Sequence, residues 1–385
     1  MFSPLYGLLA VLLMEAIQYN NFHAIDFNDN TLEVGFWALT ILFFYQALHK
    51  PHWRNWLLTG LFAGLCMLVK YYSALLLLSM GLYLLTERSY LKKPAVYAGV
   101  AVFLVIIIPH VCWLFSHQLV TAHYALERIS ADPHWSNHFY FPLKFTGEQL
   151  EVFLPALILG FLFLRKSSTK TSLSADNKKF LLFMGLGPFL LTIALSFILG
   201  IKLRAGWGQP LLILWPLILI SYLRPHLEAK RFYTFFIATL LLLSLLIISY
   251  ARALIKSPEI SSADYPGKLI ANELTLAWQQ KYHTPLKFVA GQRWIAGNIA
   301  FYSKDKPSVY IDCNPKISPW IHENKLSQMG AIFVWNLSDN TNKITYEEVK
   351  QRFPQISAQN TVSFAYHRNS KLPPIVLGVA FLRPA

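Results

Sequence analysis

The sequence predicts an α-helical polytopic membrane region of about nine transmembrane helices, followed by a small soluble α/β domain. The 385 residues are 55% hydrophobic and only 14% charged. The apolar residues are concentrated before residue 250, in stretches that at 1.5 Å rise per residue cross most of a ~30 Å hydrocarbon layer. After residue 263 the pattern is that of an ordinary water-soluble domain. We therefore expect a transmembrane domain over 1–250, a linker over 251–263 and a soluble domain over 264–385.

Nine apolar stretches define the membrane region, and the short ones are compatible with tilted or partly buried spans. The first stretch lacks a basic n-region and a small-residue cleavage site, which predicts a spanning helix and not a removable signal. Cys66 and Cys112 fall inside apolar stretches, so no disulfide framework is expected. The predicted helices cover residues 2–18, 31–48, 55–69, 72–86, 95–116, 147–164, 180–200, 209–223 and 232–250.

The net charge of +14 is distributed between the apolar stretches and is not gathered on one face or tail, which argues against nucleic-acid binding. One alternate set of loops carries thirteen Lys and Arg residues and the other carries five. The positive-inside rule places the first set in the cytoplasm. With nine spans, the amino end is then cytoplasmic and the carboxyl-terminal domain is outside, which for a bacterial inner membrane means the periplasm. The five outer cations are Lys70, Arg128, Lys144, Lys202 and Arg204.

The first predicted outer loop is acidic and runs directly into an apolar helix. Asp29 or Asn30 is suited to cap that helix, and Glu33, at about its third position, is suited to a capping box. Capping alone is one interpretation of this cluster. However, Glu33 lies a turn into an apolar span, where a carboxylate costs several kcal/mol unless it meets a cavity or a partner. We therefore treat Asp26, Asp29 and Glu33 as candidate catalytic carboxylates.

Carboxylates beside cations at a membrane surface suit the transfer of a sugar from a lipid phosphate. Lys70, Lys202 and Arg204 are candidates to neutralise the departing phosphate, and a carboxylate is needed to accept the proton of the attacking hydroxyl. For each cation, snorkelling to the interface is the alternative interpretation. Aromatic side chains supply flat faces for sugar rings, although aromatic belts also occur at bilayer interfaces. They are Tyr71, Tyr72, Trp113, Trp135 and Trp207.

The outer loop 117–146 contains four histidines without the close pairing typical of a metal site, so no metal ligands are predicted and solvated histidines are favoured. No cofactor is certain, and a divalent cation is left open. Pro109 and His110 interrupt the fifth span near its outer end, where the opened backbone would admit a lipid headgroup. The four histidines are His117, His123, His134 and His138.

Four segments resemble the membrane-embedded GT-C glycosyltransferases. The similar branch is the family-39-like group of aminoarabinose transferases of lipid A, protein O-mannosyltransferases and lipopolysaccharide-core galacturonosyltransferases. Together the segments span the membrane half. They are Asn30–Leu39, with Glu33 before Phe-Trp-Ala-Leu; Trp56–Tyr71, ending in Leu-Val-Lys-Tyr; Pro109–Trp113; and Lys202–Pro210, with a basic pair before Trp207.

The resemblance implies an inverting transfer from a polyprenyl-phosphate sugar to lipid A, a core glycan or a protein. It implies that Asn30, Glu33 and Lys70 line the cavity and that Lys202 and Arg204 lie near the phosphate. Tyr71, His110 and Trp207 are further candidates for substrate binding. Members of this family carry an acidic motif in an earlier outer loop, and this chain begins on what resembles a later helix. We therefore expect either an amino-terminally truncated fragment, a partner that supplies the loop, or a chain inactive alone.

Two other functions remain open at this stage. A non-catalytic or partner-dependent membrane protein would account for the missing acidic loop. A transporter of lipid-linked sugars would require inverted repeats and charged residues near mid-bilayer, whereas the ionisable residues gather at helix ends.

The carboxyl-terminal domain alternates predicted strands and helices, which favours a three-layer α/β arrangement. Strands are predicted at 286–290, 308–312, 331–335, 362–366 and 375–382, and helices at 266–282, 294–302 and 345–352.

Overall fold

The computed structural model describes residues 4–21, 27–50, 52–163, 173–223, 228–256, 262–338, 344–367 and 373–385. The chain divides into two compact units, Met1–Ala251 and Arg252–Ala385. The first unit is helical, and the second contains a five-stranded sheet with helices.

Each apolar stretch predicted from the sequence coincides with helix over most of its described residues. The helices of the first unit are α1 (Pro4–Glu15), α2 (Asp29–His49), α3 (Trp53–Val69), α4 (Ala74–Thr86), α5 (Pro94–Ser116), α6 (Val120–Ile129), α7 (Asn137–Phe163), α8 (Ala175–Leu181), α9 (Gly187–Leu199), α10 (Trp215–Leu223) and α11 (Ala229–Lys256). A π-helical turn, Leu182–Leu186, joins α8 to α9.

The predicted count of nine spans is not confirmed. Among the described residues, five helical segments are long and apolar enough to cross a membrane: Asp29–His49, Pro94–Ser116, Asn137–Leu162, Ala175–Leu199 and Ala229–Ala253. A sixth is present if the pair Ala205–Leu212 and Trp215–Leu223, bent by 52°, forms one span. Three shorter apolar helices, α1, α3 and the segment Tyr71–Thr86, fall below the length that a straight crossing needs.

The α3 and α5 helices approach each other closely through small residues. A β-carbon at Gly60 would lie 2.0 Å from the carbonyl oxygen of Gly99, so neither position has room for a side chain. Contacts of this kind between small residues are typical of helices packed within a membrane. They hold α3, whose end carries Lys70, against α5, whose end carries His110.

Side-chain contacts distinguish the two ends of this helical unit. At one end, which we call the Lys70 end, the beginning of α2 meets the end of α3, and the beginning of α7 meets the end of α9. At the opposite end, Lys179 pairs with Glu87 at 2.6 Å, and Tyr90 donates to the carbonyl of Leu48 at the end of α2. Asp29, Glu33 and Lys70, all predicted on the outer face, therefore lie together at the Lys70 end.

The second unit is built on a mixed sheet of five strands. They are β1 (Phe288–Gly291), β2 (Ser308–Ile311), β3 (Ala331–Asn336), β4 (Asn360–Phe364) and β5 (Ile375–Leu382). The strand order in the sheet is β2-β1-β3-β5-β4, in which β1, β2 and β3 are parallel and β5 is antiparallel to both β3 and β4. The strands lie at their predicted positions, displaced by at most two residues at either end.

Helices cover both faces of the sheet, as the three-layer prediction requires. One apolar core joins α12 (Gly267–Tyr282) and α13 (Arg293–Tyr302) to one face. A second core joins α14 (Glu323–Met329) and α15 (Tyr346–Arg352) to the other. The short α14 helix was not predicted because only its Leu326 is buried, which leaves no helical periodicity to detect.

Candidate functional site

The amino end of α2 is capped by Asn28, which frees the two residues after it. The Asn28 Oδ1 atom accepts hydrogen bonds from the backbone nitrogens of Asn30, at 2.9 Å, and Thr31, at 3.3 Å. The prediction that Asp29 or Asn30 caps this helix is therefore wrong. The predicted capping box is wrong as well, because with Asn28 as the cap Glu33 is the fifth helical residue and not the third.

Lys70, the residue that ends α3, points its amine at this freed segment. The Lys70 Nζ atom lies 3.5 Å from Asp29 Oδ2 and 3.7 Å from Glu33 Oε2, and it donates a hydrogen bond to Asn30 Oδ1. The side-chain nitrogen of Asn30 donates to Asn28 Oδ1 at 3.2 Å, so the side-chain oxygen of Asn30 faces the Lys70 amine. We call Lys70, Asp29, Asn30 and Glu33 the Lys70 cluster. It carries two carboxylates and one ammonium group.

The two carboxylates of the Lys70 cluster differ sharply in exposure. The Glu33 side chain is fully buried, whereas 58% of the Asp29 side chain is exposed. Ser73, in the short 3₁₀ turn before α4, donates to Glu33 Oε1 at 2.8 Å. Glu33 Oε2 receives no hydrogen bond within the described residues and faces only the amine of Lys70. Glu33 is therefore a buried carboxylate stabilised by one hydroxyl and one cation.

Aromatic rings border the amine of Lys70. It lies 5.8 Å from the ring centre of Tyr72 and 5.7 Å from that of Trp207, and the two rings lie 5.9 Å apart. Both distances are within the range of cation–π contacts. Tyr72 is anchored in turn by a 2.6 Å hydrogen bond between its hydroxyl and that of Thr192.

The segment that carries Trp207 is fixed by buried polar side chains. The carbonyl of Ala205 accepts hydrogen bonds from Tyr19 and, at 3.2 Å, from Gln149, and Tyr19 also donates to Gln149 at 3.0 Å. Gly208 packs so closely that a β-carbon there would lie 1.7 Å from Gln149 Oε1. These contacts bring residues from distant parts of the chain together beside Lys70.

Tyr71 and His110, both predicted site residues, contact each other beside this segment. The Tyr71 hydroxyl lies 2.7 Å from His110 Nε2 and 2.5 Å from Thr121 Oγ1. The imidazole of His110 stacks on Trp113 with ring centres 5.9 Å apart. The group connects the ends of α3 and α5 to α6.

Lys202 and Arg204 have exposed side chains, and their backbones make the contacts that shape the loop. The Lys202 nitrogen donates to the carbonyl of Ile129 at 3.0 Å, and the Arg204 carbonyl accepts from Trp207 at 2.9 Å. Asp26 lies outside the described residues.

No group of three or more His, Cys, Asp or Glu side chains among the described residues is arranged to hold a metal ion. The imidazole of His117 lies 2.8 Å from the carbonyl oxygen of Trp113, and that of His138 lies 2.7 Å from the carbonyl oxygen of Phe197.

Sequence reasoning missed four residues that shape the site: Asn28, Ser73, Tyr19 and Gln149. Asn28 was detectable, since asparagine is among the favoured helix caps. Ser73, Tyr19 and Gln149 carried no such signal, since their roles, and the complete burial of Gln149, depend on tertiary contacts alone.

Residues 1–113 match the family model described as dolichyl-phosphate-mannose-protein mannosyltransferase, which is of the GT-C type. The matched segment includes the whole Lys70 cluster as well as Tyr71 and His110. The match covers the first three of the four resembling segments and confirms the resemblance there. It supports, at a coarse level, a membrane glycosyltransferase with a lipid-phosphate-sugar donor. No curated protein and no solved structure matches the chain.

Proposed function

We propose that this protein transfers a hexose or pentose from a polyprenyl-phosphate donor to a lipid, glycan or protein acceptor at the periplasmic face of the bacterial inner membrane. The observation that carries the proposal is the Lys70 cluster. It joins one ammonium group to a buried and an exposed carboxylate at one end of an apolar helical unit, within the segment matched to the family.

The reaction needs a cation where negative charge develops. The acceptor oxygen attacks the anomeric carbon, a new carbon–oxygen bond forms, and the bond from that carbon to the phosphate oxygen breaks. The electron pair leaves with the polyprenyl phosphate. Lys70, whose side chain is only 14% exposed, is positioned to stabilise that charge more strongly than a cation in bulk water would.

The difference in exposure assigns the carboxylates separate roles. Asp29 is reachable from solvent and is the better base for the proton of the acceptor hydroxyl. Glu33 is enclosed, and its charge is balanced by Lys70, so we assign it as a positioning residue that fixes the lysine amine. Asn30 also fixes that amine by accepting its hydrogen bond.

The surrounding residues suit the remaining parts of the substrate. Tyr72 and Trp207 offer ring faces beside Lys70 for stacking of a sugar ring. Lys202 and Arg204 lie in the same loop as Trp207 with exposed side chains, where they would attract the phosphate during binding. Tyr71 and His110 would line the entry of the lipid headgroup at the end of α5.

The test uses bacterial membranes containing the full chain, supplied with radiolabelled undecaprenyl-phosphate mannose and undecaprenyl-phosphate aminoarabinose. We expect at least one of these donors to label membrane lipid, glycan or protein through a new glycosidic bond. A parallel fusion of alkaline phosphatase after Ala385 is expected to be active, since that enzyme matures only in the periplasm.

Three outcomes would overturn the proposal. If intact donor crosses the membrane without forming a glycosidic bond, the protein is a transporter. If neither donor is consumed, the chain alone has no such activity. If the fused phosphatase is inactive, the proposed face is wrong.

A further inference from the structure

A cavity separate from the Lys70 cluster lies at the same end of the helical unit. Its volume is about 490 Å³, within the ~300–1,000 Å³ typical of ligand sites. It lies between the segment that links α6 to α7 and the end of α9. The residues that line it with polar or aromatic groups are Ser130, His134, Trp135, Asn137 and His138.

The walls of this cavity are joined by specific contacts. Gly200, with φ of +64°, ends α9 and turns the chain along the cavity. Directly after the lining residue Ile201, the Lys202 backbone nitrogen donates to the carbonyl of Ile129 at 3.0 Å. The Ser196 hydroxyl donates to the carbonyl of Ile201 at 2.8 Å. The cavity is therefore bounded by two chain segments that hydrogen bonds hold together.

Each imidazole of the cavity has its Nδ1 atom within hydrogen-bond distance of a neighbouring group. His138 Nδ1 lies 2.7 Å from the carbonyl oxygen of Phe197, which only accepts, so in the neutral ring the proton lies on Nδ1 and Nε2 is an acceptor. His134 Nδ1 lies 2.6 Å from Ser136 Oγ and 3.3 Å from the Ser136 backbone nitrogen, and either tautomer suits a hydroxyl neighbour. A ligand hydroxyl both donates and accepts, so it matches His138 Nε2 and either form of His134 Nε2.

An aromatic face completes the arrangement. Trp135 lines the cavity and is 73% exposed, and its ring contacts Phe139 edge to face with ring centres 6.0 Å apart. Of the described residues that line the cavity, none carries a carboxylate, ammonium or guanidinium group. The lining therefore favours a neutral, hydroxyl-rich ligand over an anionic headgroup.

From these observations we infer that the cavity binds a neutral sugar ring of the acceptor, stacked on Trp135 with its hydroxyls held by His134 and His138. This inference rests on the proposed function and adds the chemical class of the acceptor. Residues 200–207 run from the cavity wall at Gly200 to Trp207 beside Lys70, so a bound acceptor would lie along the path to the donor site.

The experiment measures saturation-transfer NMR on the full chain in lipid nanodiscs. The probes are methyl α-mannoside, methyl β-galactoside and methyl N-acetyl-β-glucosaminide, with sn-glycerol 3-phosphate as the anionic probe. Trp135→Ala removes the stacking face, Trp135→Phe retains one, and Trp53→Ala is the matched control at the opposite end, where the side chain is 54% exposed.

We expect at least one glycoside to receive saturation. That signal should fall about fivefold or more in Trp135→Ala, remain at half or above in Trp135→Phe, and be unchanged in Trp53→Ala, because only Trp135→Ala removes the aromatic face on which the ring stacks. The inference is overturned if no glycoside binds, if Trp135→Ala binds as well as the unmodified chain, or if glycerol phosphate gives the strongest signal. Glycoside binding without sugar transfer would reject the proposed function but keep the cavity as a sugar-binding site. Sugar transfer without glycoside binding would keep the proposed function and reject the cavity as a sugar-binding site.

Discussion

The pairing of Glu33 with Lys70 predicts that replacing Lys70 lowers the stability of the fold strongly, and that a second substitution at Glu33 restores most of it. Lys70→Met keeps an unbranched side chain of similar length but leaves the fully buried Glu33 without a cation. Breaking a buried pair in this way costs about 3–5 kcal/mol. The exposed pair of Lys70 with Asp29 adds no more than about 1 kcal/mol. We take about 3 kcal/mol, the lower end of that range, as the expected loss, because the Lys70 side chain retains 14% exposure and water can replace part of the lost amine.

A second substitution should restore most of that loss. Glu33→Gln removes the buried charge while its amide oxygen still accepts the hydrogen bond of Ser73, so we expect it to cost about 1 kcal/mol alone. In the double variant no buried charge is left unpaired. We therefore expect a coupling of about 3 kcal/mol between the two substitutions, which leaves the double variant only about 1 kcal/mol less stable than the unmodified chain.

The measurement is thermal unfolding of the purified full chain, followed by tryptophan fluorescence at one scan rate. At about 2–4 °C per kcal/mol for a unit of this size, Lys70→Met should lower Tm by about 6–12 °C, and the double variant should regain at least half of that. Lys50→Met, at an exposed position at the opposite end, is the control and should leave Tm unchanged. If Lys70→Met unfolds within about 2 °C of the unmodified chain, the ion pair does not stabilise the fold and the reasoning fails.

Three further predictions follow from individual contacts. Asp29→Asn should lower sugar transfer about 100-fold or more through loss of the base, while Asp176→Asn, exposed on α8, should not; equal activity of both in a transfer assay would exclude Asp29 as the base. Gly208→Ala should cost about 1–3 kcal/mol because its β-carbon would overlap Gln149, whereas Gly35→Ala, with open space around it, should be neutral or stabilising; a Tm for Gly208→Ala equal to that of Gly35→Ala would contradict the packing. Burial raises the pKa of the Cys313 thiol to about 12, so the folded state favours the protonated form and the stability of the fold falls as pH rises from about 9 towards 12. A water-soluble maleimide at pH 8 should therefore label Cys313 only after denaturation. Rapid labelling of Cys313 in the folded chain would show instead that the thiol is accessible.

The sequence predicted the elements of this fold because their signals are local. The apolar stretches coincide with helices, and the strands of the carboxyl-terminal sheet lie close to their predicted positions. The number of membrane spans was not predictable in the same way. A helix must also be long enough to cross the bilayer, and α1 and α3 are shorter than a straight crossing needs. The segment Ala205–Leu223 bends at its middle.

Sidedness predicted that Asp29, Glu33 and Lys70 lie on one face, and the family resemblance added Asn30. The structure places these four residues in direct contact. The roles proposed for them remain predictions. Charge patterns could not predict that Glu33 is enclosed and Asp29 exposed, because that difference depends on how α2 packs against α3 and the turn before α4. Nor could they predict the cavity beside His134 and His138, whose walls come from segments far apart in the chain.

The central claim, that the Lys70 cluster carries out sugar transfer, is tested most directly by the turnover of the Glu33→Gln, Lys70→Met double variant. This variant should fold, yet it lacks the cation that stabilises the departing phosphate. In membranes with radiolabelled polyprenyl-phosphate sugar, we predict a rate at least about 100-fold below that of the unmodified chain at equal folded amount, with Lys50→Met unaffected. A double variant that transfers sugar within twofold of the unmodified rate would contradict the account.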